Sequence, residues 1–503
     1  MKNLRFIFTI AFALSAASLV AQSRHYNSTT LGMGGGGTAF IDGYHANFLN
    51  PANLMLDDGR KPKRELGLVG GVGVRAGGSL VNLDVYDQYL TRGLKIEGQI
   101  RTDMLEEWFG SDVTNTRDLS TTIDVVPLGF SSRGRKSAFS LATRVRTTQD
   151  LTFNKGFAEL YFYGLDSEQF GSGVPVDLNS RTISYTEISI GYAMKLPVPL
   201  TGLVESLPFI NGINLYAGVA PKYLVGMQSV ELDLTSTLTV NPVSLTSNGG
   251  ITHDFEYSLY SYGELSEQLR AYSLAREVDE DAKLEDYVDY SGSDIGTLGS
   301  GFGLDLGVTA ELDVSLPALG FFGKRQKLVL AMSITDMGSI TYDETPSRVT
   351  ASGLVTIDGD IGDQAPGDYF EDLADSLGND VYGGFTSEDA SNQKYSLPGM
   401  YNFGAALTLG KLTTTLDYGF GFNDVGTNSR RSALTLGAQY RLLGFIPIRV
   451  GTRLGGYSSA SYSAGIGLDF RFLELTVAAS MANNSGSNGN SVTAAFSGLV
   501  IRF

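Results

Sequence analysis

Cysteine is absent from the 503 residues, so disulfides, thiol nucleophiles and thiolate metal sites are excluded. Histidine occurs three times, at His25, His45 and His253. These positions are too scattered for a His-based metal cluster or a catalytic dyad, and no cofactor or metal is expected. No Ser-His-Asp order is visible, so neither a lipase nor a protease is expected, nor an enzyme of another kind. Bases are in deficit, with 37 Lys and Arg against 54 Asp and Glu and a formal charge of −17, which argues against a nucleic-acid partner. Proline is sparse at 14 residues, whereas glycine is abundant at 62. Beyond the N-terminus no stretch holds 18 uninterrupted apolar residues, so no membrane-spanning helix is expected.

What is present begins with MKNLRFIFTIAFALSAASLVAQ. Lys2 and Arg5 precede an apolar stretch, and Ala21 supplies a small residue at the expected cut, so residues 1–21 read as a secretory signal peptide. No cysteine sits at that cut, which excludes a bacterial lipoprotein. The subsequent LGMGGGG places Gly32, Gly34 and Gly37 in a G-x-G-x-x-G pattern. That pattern cradles phosphate when a strand leads into it and a helix leaves it. Here polar QSRHYNSTT precedes it, and Gly43 and Pro51 would interrupt any helix leaving it, so a dinucleotide loop is not expected.

The rest of the chain alternates with a period of two, the signature of strands. In 412–422, Leu412, Thr414, Leu416, Tyr418, Phe420 and Phe422 share one face, opposite Thr413, Thr415, Asp417, Gly419 and Gly421. Stretches 302–314 and 473–481 repeat the pattern. Such runs reach ten or more residues, the length a tilted strand needs to cross a bilayer (about 9–11), with an apolar face for lipid and a small or charged face for a lumen. Strands are expected near 65–78, 121–132, 137–149, 181–196, 211–234, 299–315, 327–342, 399–409, 411–422, 431–442, 446–456, 459–470, 472–482 and 491–503. The fold class is therefore all-β, a transmembrane outer-membrane β-barrel of about 14 antiparallel strands spanning 65–503. Most connections at one end are short and most at the other long, matching periplasmic turns and extracellular loops. The last strand ends on alternate apolar residues Leu499, Ile501 and Phe503, which looks like a barrel-insertion signal read by the barrel assembly machinery.

Acid concentrates in two of the long loops, 235–298 and 343–398. Residues 254–294 hold twelve acids against three bases, net −9, and 343–389 hold twelve against one, net −11. IDGDIGD (Asp358, Asp360, Asp363) loosely resembles a calcium loop without its downstream Glu, so a solvated acidic surface is expected. Short helices are expected near 104–109 and 369–377, with Trp108 at the headgroup level. Polar-face positions expected in the lumen are Arg144, Arg146, Lys195, Lys222, Asp305, Glu311, Asp313, Asp417, Gln439, Arg449, Arg453, Asp469 and Glu474. Mixed charges of this kind suit water, internal ion pairs or a plug.

With these features in place, the N-terminal stretch becomes legible. LGMGG, then Thr38-Ala39 and Asp42, then Asn50-Pro51-Ala52 resembles the start of long-chain fatty-acid transporters of the FadL type and of the related PorV-type barrels of the type IX secretion system. SITDMGSITY (333–342), SLPGMYNFG (396–404) and IPIRVGTRLG (446–455) are further echoes, and the overall style looks like a Bacteroidota protein. The resemblance implies a fourteen-stranded barrel in the outer membrane, with residues 22–64 folded into the lumen as a hatch shaped by Gly32, Gly34, Gly35, Asp42, Asn50, Pro51 and Ala52. It implies passive transport of a hydrophobic small molecule or, alternatively, a PorV-like barrel that holds a secretion-system partner. A structural barrel with a shut lumen is a third reading. Acidic loops repel free carboxylates, which leaves neutral hydrophobes as the expected ligands.

Overall fold

A computed structural model describes residues 27–503 except 58, 60–61, 91–94, 164–167, 199–208, 242–249, 277, 279–285, 288–295, 318, 320–325, 359–385, 424–427, 429, 457–459 and 483–488. The signal peptide, Asp360, Asp363 and the helix expected at 369–377 lie outside the described residues.

Fourteen antiparallel strands close into a barrel. They are β1 Arg64–Gly78, β2 Thr116–Arg133, β3 Ser137–Asn154, β4 Leu178–Lys195, β5 Ile210–Asn241, β6 Gly299–Val314 and β7 Gln326–Tyr342. Next come β8 Met400–Leu409, β9 Leu412–Gly421, β10 Ala433–Leu442, β11 Ile446–Gly455, β12 Ala460–Asp469 and β13 Leu473–Ala482. The last, β14, runs in two parts, Asn490–Phe496 and Leu499–Arg502. Each strand pairs with its neighbours in the chain, and β1 pairs with β14, with Val72 opposite Phe496 and Leu68 opposite Leu499. Closure removes the exposed edges that lipid could not satisfy. Every strand overlaps the span expected from the period of two.

Sequence dictates which way the wall faces. One register row crosses Val308, Met332, Phe403, Tyr418, Leu434 and Leu454 on successive strands, and all six are exposed. An apolar surface continuous over so many strands is a lipid-facing belt. Aromatics ring both of its ends: Tyr401 packs on Phe420 and Phe422 at the long-loop end, and Phe445, Phe470 and Phe472 stack at the short-turn end. Such girdles mark the two membrane–water interfaces. The chain is thus an outer-membrane barrel, with the turns at 134–136, 410–411, 443–445 and 470–472 on the periplasmic side.

Two expected loops prove to be partly regular. Strand β5 runs on to Asn241 and pairs with Gly250–Ser261, which pairs in turn with Ser347–Asp358. Helices at Lys155–Tyr163 and Glu264–Arg276 were not anticipated, and the helix expected near 104–109 spans Gly98–Phe109. The outer strands escaped notice because their polarity is inverted. Beyond the bilayer the outward face meets water, so Asp254 and Glu256 are exposed, while His253, Phe255, Val349 and Ala351 are buried. His253 therefore lies in a strand. Burial, only partly opposed by Asp254, pushes its imidazole down to about 4, so it is neutral at physiological pH.

Candidate functional site

Residues 27–57 run through the lumen, and nearly all are buried. Asn27 caps the single helical turn Ser28–Gly32 by accepting from the Thr29 N–H at 2.7 Å. The Ser28 hydroxyl meets that of Thr476 on β13 at 2.5 Å. Gly34 has φ +86°, and a Cβ there would lie 2.8 Å from both Thr435 Cγ2 and the Thr452 carbonyl. Its N–H donates to Ser463 Oγ at 2.9 Å, so glycine is required for conformation and for contact alike. Asp417 on β9 accepts from the Gly37 and Thr38 N–H groups at 3.1 and 2.8 Å. Orphan backbone donors inside the barrel are thereby satisfied by wall side chains.

The second half of the segment is held as closely. Asn50 donates to the Thr38 carbonyl and to Thr309 Oγ1, both at 3.0 Å, while its Oδ1 accepts from the Ala52 N–H. Pro51 opens the 3-10 turn Pro51–Met55, where its missing N–H costs nothing. Gly307 on β6 makes room: a Cβ there would collide with Asn50 Oδ1. Thr309 donates to Asn53 Oδ1 at 2.7 Å and Ser333 to the Leu49 carbonyl at 2.6 Å. At the periplasmic end Arg133 pairs with Asp57 at 2.9 Å. Among the expected hatch residues, Gly32 packs against Arg449, and Gly35 (φ +86°) has open space where a Cβ would be. Asp42 precedes the turn Gly43–Phe48 without capping it.

Immediately outward of this segment lies a buried charge network. Arg144 Nη2 sits 2.5 Å from Glu187 and 3.1 Å from Asp336, and its Nη1 is 3.9 Å from Asp124. Arg146 reaches Asp124 and Asp336, each at 3.5 Å. Lys222 lies 2.9 Å from Asp305, 2.5 Å from Asp336 and 3.2 Å from Glu187. Three cations thus face four carboxylates, all with side chains no more than 3% exposed. Phe48 of the luminal segment lies under the Arg144 guanidinium, 4.4 Å from ring centre to Cζ, and 5.8 Å from Lys222 Nζ, a cation–π contact. Farther outward, Ile183, Tyr185, Leu224, Tyr262, Ile340, Tyr342, Tyr395 and Leu397 form one buried cluster.

The alternation placed Arg144, Arg146, Lys222, Asp305, Glu311, Asp417, Gln439 and Arg449 inside, and all eight are buried. Arg453, Asp469 and Glu474 are half-buried, whereas Lys195 and Asp313 are exposed near the periplasmic rim, where the lumen opens to water. Asp124, Glu187, Asp336 and Phe48 were missed. Asp336 breaks the period of two: Leu304 pairs with Met337 but Leu306 with Ile334, so β7 carries one extra residue opposite Asp305. Asp336 takes φ +55° there, and its N–H donates to Asp305 Oδ1 at 2.7 Å. A bulge of this kind re-aims a side chain.

A second ionic knot fastens the barrel's closing pair of strands. Arg502 on β14 meets Asp469 at 2.6 Å, bonds Glu474, and lies 3.7 Å from Glu65 on β1. Glu65 in turn accepts from the Tyr44 N–H at 2.9 Å. Leu499 and Ile501 on the same strand, and Phe503 just beyond its end, are exposed on the outward face. Exchanging Arg502 for Gln removes charged hydrogen bonds worth about 1.5–3 kcal/mol each. The folded form should therefore convert to the unfolded one at a lower temperature on a semi-native detergent gel, and an unchanged transition would show the knot to be idle.

No curated protein matches the chain in sequence. Among solved structures, the Pseudomonas putida toluene transporter TodX is similar at 10% identity and TM-score 0.46, with 96% of this chain and 98% of that chain covered. The Ralstonia pickettii toluene transporter TbuX is similar at 13% and 0.43, covering 96% and 99%. A Pseudomonas aeruginosa FadL homologue is similar at 12% and 0.40, covering 96% and 98%. The family model that matches spans residues 60–480, most of the barrel, and by it the chain belongs to a family of unknown function (DUF5723).

Proposed function

We propose that this chain is a passive outer-membrane channel for small, neutral hydrophobic molecules, with residues 27–57 as its hatch. The observation that carries the reading is the order of layers in the lumen. An aromatic and aliphatic cluster (Tyr185, Leu224, Tyr342, Tyr395) lies on the extracellular side. Beneath it comes the charge network, then the luminal segment, then the periplasm. A hydrophobe entering from outside would meet apolar side chains first. Polar, hydrogen-bonded backbone blocks the way beyond them, so passage requires that segment to shift. Gly32, Gly34, Gly35, Asp42, Asn50, Pro51 and Ala52 shape the hatch in this reading. Acid on the outer loops disfavours free carboxylates, and neutral molecules are the better match.

Native mass spectrometry of the protein, extracted gently from its own outer membrane, tests the reading. A small-molecule adduct that disappears on delipidation is the expected result. An empty barrel that fails to pick up any of a panel of neutral aromatic and aliphatic hydrophobes would overturn it.

A further inference from the structure

The lipid-facing belt is not uniformly convex. One register row crosses Leu215, Ala310, Leu330, Ala405 and Leu416 on β5 to β9, so leucine and alanine alternate from strand to strand. Where alanine stands, the wall is sunk by the length of a side chain. The result is an apolar groove of about 600 Å³, with Met332, Phe403 and Tyr418 along its side and Ala310, Gly404 and Ala405 in its floor. It starts at Leu196, just past the periplasmic end of β4, and reaches Leu434, near the extracellular end of β10. From β5 to β10 it crosses five strand spacings, about 24 Å. The end at Leu196 is basic. Lys195 precedes it, and the Lys195 N–H donates to the Lys136 carbonyl at 2.9 Å, which brings the turn carrying Arg135 and Lys136 alongside. All three cations are exposed, and none is ion-paired among the described residues. The acid of this rim lies two strands away on β6, where Asp313 stands opposite Lys327 and Glu311 is paired with it.

We infer that the groove is a binding site for one anionic phospholipid of the periplasmic leaflet, with an acyl chain laid along it and the phosphate at Arg135, Lys136 and Lys195. The groove belongs to the face that the bilayer covers, so lipid is the occupant that reaches it. In hydrocarbon, burial from water does not distinguish a lipid chain from a protein side chain, and close packing decides which contacts persist. A chain in the groove touches protein on three sides, whereas a chain against the convex wall touches it on one, and each added atom pair contributes dispersion attraction. The exposed cations at the periplasmic end attract an anionic head group and hold it by charge-assisted hydrogen bonds. The site stands independently of transport.

The test is native mass spectrometry of the full-length protein in detergent micelles, titrated with phosphatidylglycerol or with phosphatidylcholine bearing the same chains. One phosphatidylglycerol should saturate before any further lipid adds, and phosphatidylcholine should show no such first step. Ala310→Phe and Ala405→Phe each put a ring into the groove from the lipid face, where a ring is tolerated, and each should lose that first adduct. They lie on different strands, so the test survives if one variant fails to give a folded band on a semi-native gel. Ala464→Phe, on the exposed face of β12 outside the groove, should keep the adduct. Arg135→Gln, Lys136→Gln and Lys195→Gln together should erase the difference between the two lipids. Four results would each overturn the proposal: a ladder of adducts without a saturating first step, a first adduct unchanged by phenylalanine in the groove, equal uptake of the two lipids by the unaltered protein, or a preference that survives loss of the three cations.

Discussion

Replacing Lys222 by methionine will destabilise the barrel by about 3–5 kcal/mol, the cost of removing one partner from a buried ion cluster. Lys222 touches Asp305, Asp336 and Glu187 within 3.2 Å. Without it, Arg144 and Arg146 are left to balance four carboxylates from which water is excluded. The loss is larger than for an exposed pair because the remaining charges keep their desolvation penalty after losing their partner. A second substitution decides the mechanism: adding Asp305→Asn to Lys222→Met should restore part of the loss, because it removes the charge left stranded. Urea titration in lipid vesicles, read by the folded band on a semi-native gel, measures both. A single variant within about 1 kcal/mol of wild type would mean that the cluster is wet and cheap to break.

Deleting residues 24–54 should give the second large effect. In planar bilayers the intact protein is expected to stay closed for most of the record, and the deletion should produce long-lived conductance steps. Residues 27–54 contribute Leu31, Met33, Tyr44, Phe48 and Leu54 to the lumen, all buried, and the deletion removes that packing from beneath the ion network. Asp417→Ala gives a gentler version. It takes away the acceptor of the Gly37 and Thr38 N–H groups at about 1.5–3 kcal/mol per charged hydrogen bond, and brief openings should become more frequent. If the deleted and intact proteins gave the same record, residues 27–57 would be packing material with no hatch role.

The wall was legible in the sequence because lipid enforces a strict rule. Leu416, Tyr418 and Phe420 must face outward while Asp417 faces in, and any slip would put the carboxylate into hydrocarbon. The same rule delivered Arg144, Lys222 and Asp305. It failed where its premise failed. Above the membrane the outward face is wet, so 250–261 and 347–358 alternate with reversed polarity and read as loop. At Asp336 an extra residue shifts the phase, and the motif SITDMGSITY holds that residue with no hint that it turns inward. Phe48 could not be placed on Arg144 by any periodicity, because the contact joins the luminal segment to a strand far along the chain. The glycines of LGMGGGG were readable as close packing, yet their partners Thr435, Thr452 and Ser463 were not, since these lie on strands near the other end of the sequence.

The closing of the cylinder also constrains the order of events during folding. Strand β1 pairs with β14, positions 72 and 496 among the partners, and the segment held by Glu65 and the Gly70 carbonyl lies inside that closed wall. The seat of that segment is complete only when the seam is closed, because Glu65, the Gly70 carbonyl and Arg502 all belong to the two strands that meet there. Joining strands so remote in sequence makes that closing step slow. Until the C-terminal strand has been made, the N-terminal segment has a groove to lie in but no enclosure. The end of the chain locks the beginning in place.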